Sequence, residues 1–206
     1  MNTLIRSSLA ALCAGLLVSV ATGSAAAEAG DARRGKTLTY TCLGCHGIDG
    51  YRNAYPSYRV PKLGGQSPRY LILALQAYKS GERSHPTMRA QSASLSTEDM
   101  QDIAAYIASY GEAEKPDGSS PVAPDAAATC AACHGDNGIS LSPEWPNLAG
   151  QHKDYLVDSL RQYQMKTVSE RKNPIMMGLV AALTPAQVKA IAEYYASQDG
   201  LYTTIE

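Results

Sequence analysis

Apolar residues recur at helical spacing along most of this 206-residue chain, and nowhere do they alternate with polar ones as a half-buried strand would require. Tyr70, Leu71, Leu73, Ala74 and Tyr78 form one such run. Ser67-Pro68 supplies an N-cap and a proline at the first helical position, and Gly81 ends the run. Ser96-Thr97-Glu98-Asp99 has the form of a capping box and opens a second helix through Ile103, Tyr106 and Ile107 to Gly111. Thr184-Pro185-Ala186-Gln187 opens another, which stops near Gly200. Asp31 to Thr41 predicts a first helix. The expected fold class is all-α.

The pattern also repeats. At an offset of 88, Cys42, Cys45 and His46 fall on Cys130, Cys133 and His134, and His85-Pro86-Thr87-Met88 falls on Asn173-Pro174-Ile175-Met176. Arg83 pairs with Arg171, Leu95 with Leu183, Ile103 with Ile191 and Tyr106 with Tyr194. In between, the offset is 85, and Pro61-Lys62-Leu63-Gly64-Gly65-Gln66 matches Pro146-Asn147-Leu148-Ala149-Gly150-Gln151. Two domains are expected, at residues 28–113 and 126–206. The linker between them, 114–125, is rich in Pro, Ser, Gly and Asp and has no apolar periodicity. Gly35 and Tyr40 have only Ala123 and Ala128 opposite them, so the opening helix of the second half is expected to be short or differently packed. Each half is small for a core made of protein alone.

The repeated Cys-x-x-Cys-His is what changes the picture. This pentapeptide is the attachment signature of a c-type haem: two thiols add across the vinyl groups, and the next residue offers an imidazole to iron. Cys42, Cys45, Cys130 and Cys133 are the expected attachment points for two covalent haem c groups, with His46 and His134 as proximal ligands. A buried haem would also supply the apolar bulk that each half lacks. Zinc is the competing reading, but it needs a fourth ligand per motif. A redox-active disulfide would leave the following histidine unexplained, twice over.

The second axial ligand separates a carrier from an enzyme. Met88 and Met176 recur in frame, in expected loops ahead of the last helix of each half, and a thioether there would complete six coordinates and raise the potential. Met177 is the rival of Met176, but Arg89 stands opposite it. Met100 faces Val188 and reads as core. His85 would give a bis-histidine site, yet its counterpart is Asn173; His152, opposite Ser67 at a helix start, is expected to be exposed. In c-type cytochromes a proline carbonyl commonly accepts the proximal imidazole N–H, and similarity to them implies that role for Pro61 and Pro146, with a plain turn as the other reading. Arg83 and Arg171 read either as propionate partners or as plain surface charges. The chain has 13 Tyr and no Phe, and Tyr78, Tyr163, Tyr106 and Tyr194 are expected to take the place of the usual apolar aromatics.

Charge and the N-terminus bear on place and partners. Arg6, the apolar run Leu9–Val20 and Ala25-Ala26-Ala27 read as a signal peptide over residues 1–27, so a periplasmic location is expected. Cys13 leaves with it, and every remaining cysteine lies in a motif. The formal charge of −1 argues against nucleic acid. It is unevenly spread: residues 28–115 carry 11 Lys/Arg against 9 Asp/Glu, and residues 116–206 carry 6 against 10.

Taken with the paired P-x-L-[GA]-G-Q segments and loop methionines, these motifs resemble the dihaem cytochrome c4 family over nearly the whole mature chain. The resemblance implies two tandem cytochrome c-like domains, each wrapped around one haem. It implies a periplasmic carrier of single electrons, often in loose membrane association. Its redox partners would be a quinol-oxidising complex or a dehydrogenase on one side and a terminal oxidase on the other. Two other readings are carried: the dihaem subunit of a dehydrogenase such as a sulfide-oxidising flavocytochrome, and a dihaem peroxidase. A peroxidase needs one open or labile iron position, against which the two in-frame methionines count.

Overall fold

A computed structural model describes residues 30–114, 121–165 and 171–204. The signal-peptide expectation at 1–27 and residues 115–120 of the expected linker lie outside these. The described chain is helical, with isolated bridges in place of strands. The first half contains α1 (Ala32–His46), α2 (Pro68–Ser80), α3 (Pro86–Ala93) and α4 (Thr97–Ala108). The second contains a 3₁₀ turn (Asp125–Ala127), α5 (Ala128–His134), α6 (Lys153–Gln164), α7 (Pro174–Val180) and α8 (Pro185–Ala196). Among the described residues, no single helix is long and apolar enough to cross a membrane.

The helix starts are where the capping chemistry puts them. Ser67 accepts from the Tyr70 amide at the head of α2. Ser96 with Asp99, and Thr184 with Gln187, form reciprocal capping boxes at α4 and α8, each cap worth about 1 kcal/mol. Gly81 closes α2 in the left-handed conformation, φ 84°, which a residue with a Cβ rarely adopts.

Two expectations need correction. The first helix does not stop at Thr41 but runs on through His46, so the Cys-x-x-Cys-His motif is its last turn. Met88 and Met176 lie in the first turns of α3 and α7, because Pro86 and Pro174 pre-set helical φ at the first position and His85 and Asn173 cap the free amides.

Each half has its own core. Leu71, Ile72, Met100, Ile103, Ala104 and Ile107 form the first, where α2 meets α4. Leu156, Ile191, Ala192, Tyr194 and Tyr195 centre the second, where α6 meets α8. Met100 and Val188 are both fully buried, as core residues in equivalent positions should be. The halves differ at their opening helix. α1 crosses α4 so closely that a Cβ on Gly35 would stand 2.0 Å from the Asp102 carbonyl oxygen. There Arg34 pairs with Asp99 and with the buried Asp102, which also accepts from the Asp31 amide at 2.7 Å. The second half has only the seven-residue α5 behind a 3₁₀ turn, so it lacks this crossing, as Ala123 and Ala128 opposite Gly35 and Tyr40 foreshadow.

The halves meet through the repeated segments themselves. Gln66 donates to the Asn147 carbonyl at 3.1 Å and accepts from the Asn147 amide at 2.9 Å. Gln151 does the same to Lys62, at 3.1 and 3.0 Å. Lys62 and Asn147 are repeat equivalents, so the pattern is reciprocal, as a two-fold contact demands. Arg83 and Arg171, also equivalents, bridge each other antiparallel.

Gly35→Ala is therefore expected to cost about 1–3 kcal/mol, since the obstacle is backbone and cannot swing away. Thermal denaturation measures it, and an unchanged midpoint would show that α1 can shift off α4.

Candidate haem-binding sites

Cys42, Cys45 and His46 stand at i, i+3 and i+4 at the C-terminal end of α1, which puts them on one helix face. Cys130, Cys133 and His134 do the same on α5. All four cysteines are free and half-buried, and burial pushes the Cys42 and Cys130 thiols up, towards the neutral form. Both imidazoles are buried. His46 Nδ1 lies 2.7 Å from the Pro61 carbonyl, and His134 Nδ1 lies 2.9 Å from that of Pro146. A carbonyl only accepts, so Nδ1 carries the hydrogen and Nε2 keeps its lone pair. Burial also lowers both imidazole pKa values, against the opposing pull of the carbonyls. A neutral, oriented imidazole with a bare Nε2 is what an iron ligand must be. The two proline carbonyls stand where the sequence expects them.

Among the described residues, no three His, Cys, Asp or Glu side chains converge to hold a metal ion. The donor set of each motif is two unbridged thiols and one nitrogen. That suits a group that brings its own metal and is fastened by carbon–sulfur bonds; it does not make a tetrahedral zinc site.

Met88 and Met176 are half-buried, and each is the third residue of its helix. The Met88 amide donates to His85 Nδ1 at 3.4 Å, and the Met176 amide to Asn173 Oδ1 at 3.2 Å. His85 and Asn173 thus do the same work as N-caps, which accounts for a histidine in one half and an amide in the other. Met177 is equally half-buried, so burial alone does not separate it from Met176; the position in the helix does. His152 is half-buried at the head of α6, where exposure was expected.

The arginines depart furthest from a surface reading. Arg83 donates to the Tyr70 hydroxyl at 3.2 Å and to the Tyr155 hydroxyl at 3.3 Å, and Arg171 donates to that same Tyr155 oxygen at 2.9 Å. Arg83 also stacks 4.5 Å from the Tyr78 ring centre, and Arg171 lies 5.6 Å from that of Tyr163. Tyr78 and Tyr163 are therefore cation platforms at the junction. Burial pushes the Tyr155 phenol up, but the Arg171 and Arg83 charges outweigh it and bring it down to about 8. The junction glutamines were not singled out from the sequence, although their place in both P-x-L-[GA]-G-Q segments was a usable signal.

The Cytochrome c family model matches this chain twice, at residues 32–111 and 125–199. Cytochrome c4 of Pseudomonas aeruginosa is 31% identical over 199 residues, which are 89% of this chain and 96% of that one. The chain belongs to the dihaem cytochrome c4 family. The crystal structure of reduced recombinant cytochrome c4 from Pseudomonas stutzeri matches with a TM-score of 0.62 at 30% identity, over 84% of this chain and all of that one. A thiosulfate dehydrogenase electron acceptor of Stutzerimonas stutzeri is 31% identical over 170 residues, 76% of this chain and 78% of that one. Family membership and the paired motifs establish two covalently attached haem c groups and an electron-transfer protein.

Replacing Cys130 and Cys133 together by Ala should leave a protein whose intact mass carries one haem, against two in the parent. Two haems on the variant would show that the second motif is not an attachment point.

Proposed function

We propose that this chain carries single electrons in the periplasm, with His46 and Met88 on the iron of an N-terminal domain (28–113) and His134 and Met176 on that of a C-terminal domain (126–206). Residues 1–27 direct export, and residues 114–125 link the domains. The observation that carries the reading is the match between the two halves: each has a buried imidazole fixed through Nδ1 to a proline carbonyl, and each has a methionine at the third residue of a proline-started helix. When bound, the haem supplies a reversible one-electron couple. The chain buries and orients the imidazoles, and Met88 and Met176 would each supply a thioether to an iron, a ligand set that would leave no position for a substrate such as peroxide. Thioether ligation also raises the potential, which suits delivery to a terminal oxidase.

The donor is a quinol-oxidising complex or a dehydrogenase, met at the periplasmic face of the membrane. A dehydrogenase as donor has specific support in the thiosulfate dehydrogenase electron acceptor, which is 31% identical to this chain, as cytochrome c4 of Pseudomonas aeruginosa is, though over 76% of this chain against 89%. Stopped-flow reduction separates the two donors. Rapid reduction by thiosulfate with its dehydrogenase, and slow reduction by a quinol-oxidising complex, assigns the chain to the former; the reverse assigns it to respiration. The halves carry formal charges of +2 and −4, so the faster rate should fall as salt rises. Flat rates would remove charge steering from the encounter.

Met88→Ala and Met176→Ala should each abolish one half's share of the weak near-infrared sulfur-to-iron band of the oxidised protein, and lower that haem's potential. Met177→Ala should leave the band intact. The opposite result for the last two would move the second ligand to Met177.

A further inference from the structure

The two-fold contact between the halves is reciprocal in its backbone but inverted in its charges. Arg59 stands two residues ahead of Pro61, and Glu144 stands two ahead of Pro146. Arg69 is the second residue of α2, and Asp154 is the second of α6. Both pairs are equivalent at the offset of 85, and both change sign between the halves. Across the contact, the loop cation Arg59 faces the helix acid Asp154. Its Nη1 lies 3.9 Å from Oδ1, and its backbone amide donates to Oδ2 at 3.1 Å. Arg52 brings a second cation to the same carboxylate, at 3.0 Å. In the symmetry-related place the order is reversed, and the loop acid Glu144 lies 3.7 Å from the helix cation Arg69.

The rest of the junction does not tell one half from the other. Gln66 and Gln151 clasp backbone N–H and C=O groups, which either half supplies. Arg83 with Arg171, and Tyr70 with Tyr155, are matched in kind. Two first halves meeting in this way would set Arg59 against Arg69, and two second halves would set Glu144 against Asp154. An unlike pair alone puts opposite charges at both places.

We infer that the face each half presents around its Pro-x-Leu segment is selective for an unlike half, and that Arg59, Arg69, Glu144 and Asp154 set that choice. A face with a cation on both loop and helix fits one with an acid at both, and it rejects a copy of itself. The partner so chosen is the other half of the same molecule, which the linker keeps at high effective concentration. Partly exposed ion pairs attract only weakly. The selectivity comes from the repulsion in the wrong pairings, which the inverted signs supply at both places of the contact. The two haem-bearing halves of one molecule are thereby kept together, in preference to like pairs between molecules. Nothing in this choice depends on which methionine binds iron.

The test builds each like pairing inside a single haem-loaded, full-length chain. Arg69→Glu sets an acid against Glu144, as two second halves would. Glu144→Arg sets a cation against Arg69, as two first halves would. Opening is read by hydrogen exchange at the Lys62 and Asn147 amides, which Gln151 and Gln66 cover only while the halves are closed. Each single reversal should speed exchange at both amides by about threefold to tenfold at low salt. Raising the salt to about 1 M should remove most of that gain. The joint variant Arg69→Glu/Glu144→Arg restores opposite charges and should return both rates to within about twofold of the parent. The core amides of Ile103 and Ile191 should keep their parental protection throughout. Unchanged exchange in both single variants would overturn the selectivity. So would a joint variant that exchanges as fast as the single ones, because altered packing and not sign would then be the cause. Loss of protection at Ile103 or Ile191 together with the junction amides would overturn it too, since the halves would then be unfolding and not parting.

Discussion

A single six-residue segment, present twice, fixes both the histidines of the Cys-x-x-Cys-His motifs and the junction of the halves. In Pro61–Gln66 the first residue's carbonyl holds His46, the second residue's backbone is clasped by Gln151, and the last residue clasps Asn147. Pro146–Gln151 repeats every part of this with the halves exchanged. The interaction on which the rest depends is therefore a backbone one. A proline carbonyl cannot rotate away without moving the residue beside it, and that residue is tied to the other half. Each net hydrogen bond is worth about 1 kcal/mol, but breaking one here strands a buried partner and costs about 1–3 kcal/mol. The orientation of each proximal imidazole and the relative placement of the halves are thus one mechanical problem.

That coupling explains why the junction tolerates so much polar burial. Gln66 and Gln151 are buried, and each amide finds a donor and an acceptor on one backbone residue across the contact. A glutamine in this pose mimics a strand neighbour and needs no water. The tyrosines serve a related end. Where a phenylalanine would offer only a ring, Tyr70 and Tyr155 offer a hydroxyl to an arginine, while Tyr78 and Tyr163 offer a face. Four of the 13 Tyr serve the two arginines in this way, in a chain that has no Phe.

Legibility from the sequence followed the range of the interaction. Caps, helix stops and the Cys-x-x-Cys-His turns are local, and Ser67, Ser96 and Thr184 sit at the helix starts their chemistry predicts. The helical positions of Met88 and Met176 were missed because an eight- and a seven-residue helix carry too little periodicity to stand out from a proline loop. The proline carbonyls were legible because c-type cytochromes commonly hold the proximal imidazole in this way and the repeat sets a proline ahead of Leu-[Gly/Ala]-Gly-Gln in each half, 15 residues after His46 and 12 after His134. The Arg83–Arg171 encounter was not legible. An internal repeat states that two residues are equivalent, and equivalence leaves open whether they meet on the symmetry axis or stand far apart.

The repeat also shows where the halves stop being copies. Gly35 lets α1 lie against the Asp102 backbone, and Arg34 closes the contact with two carboxylates. The second half replaces that crossing with a short helix whose preceding turn packs against α8. His46 has a second imidazole near enough, His85, to help hold its own pKa down, and the matching position in the other half is the uncharged Asn173. Proximal geometry is held alike in the two halves, at 2.7 and 2.9 Å, while the charge around it differs. A duplicated electron carrier gains from that division. The carbonyl contact keeps both imidazoles competent as ligands, and the side chains one layer out are left free to make the two sites electrostatically unequal.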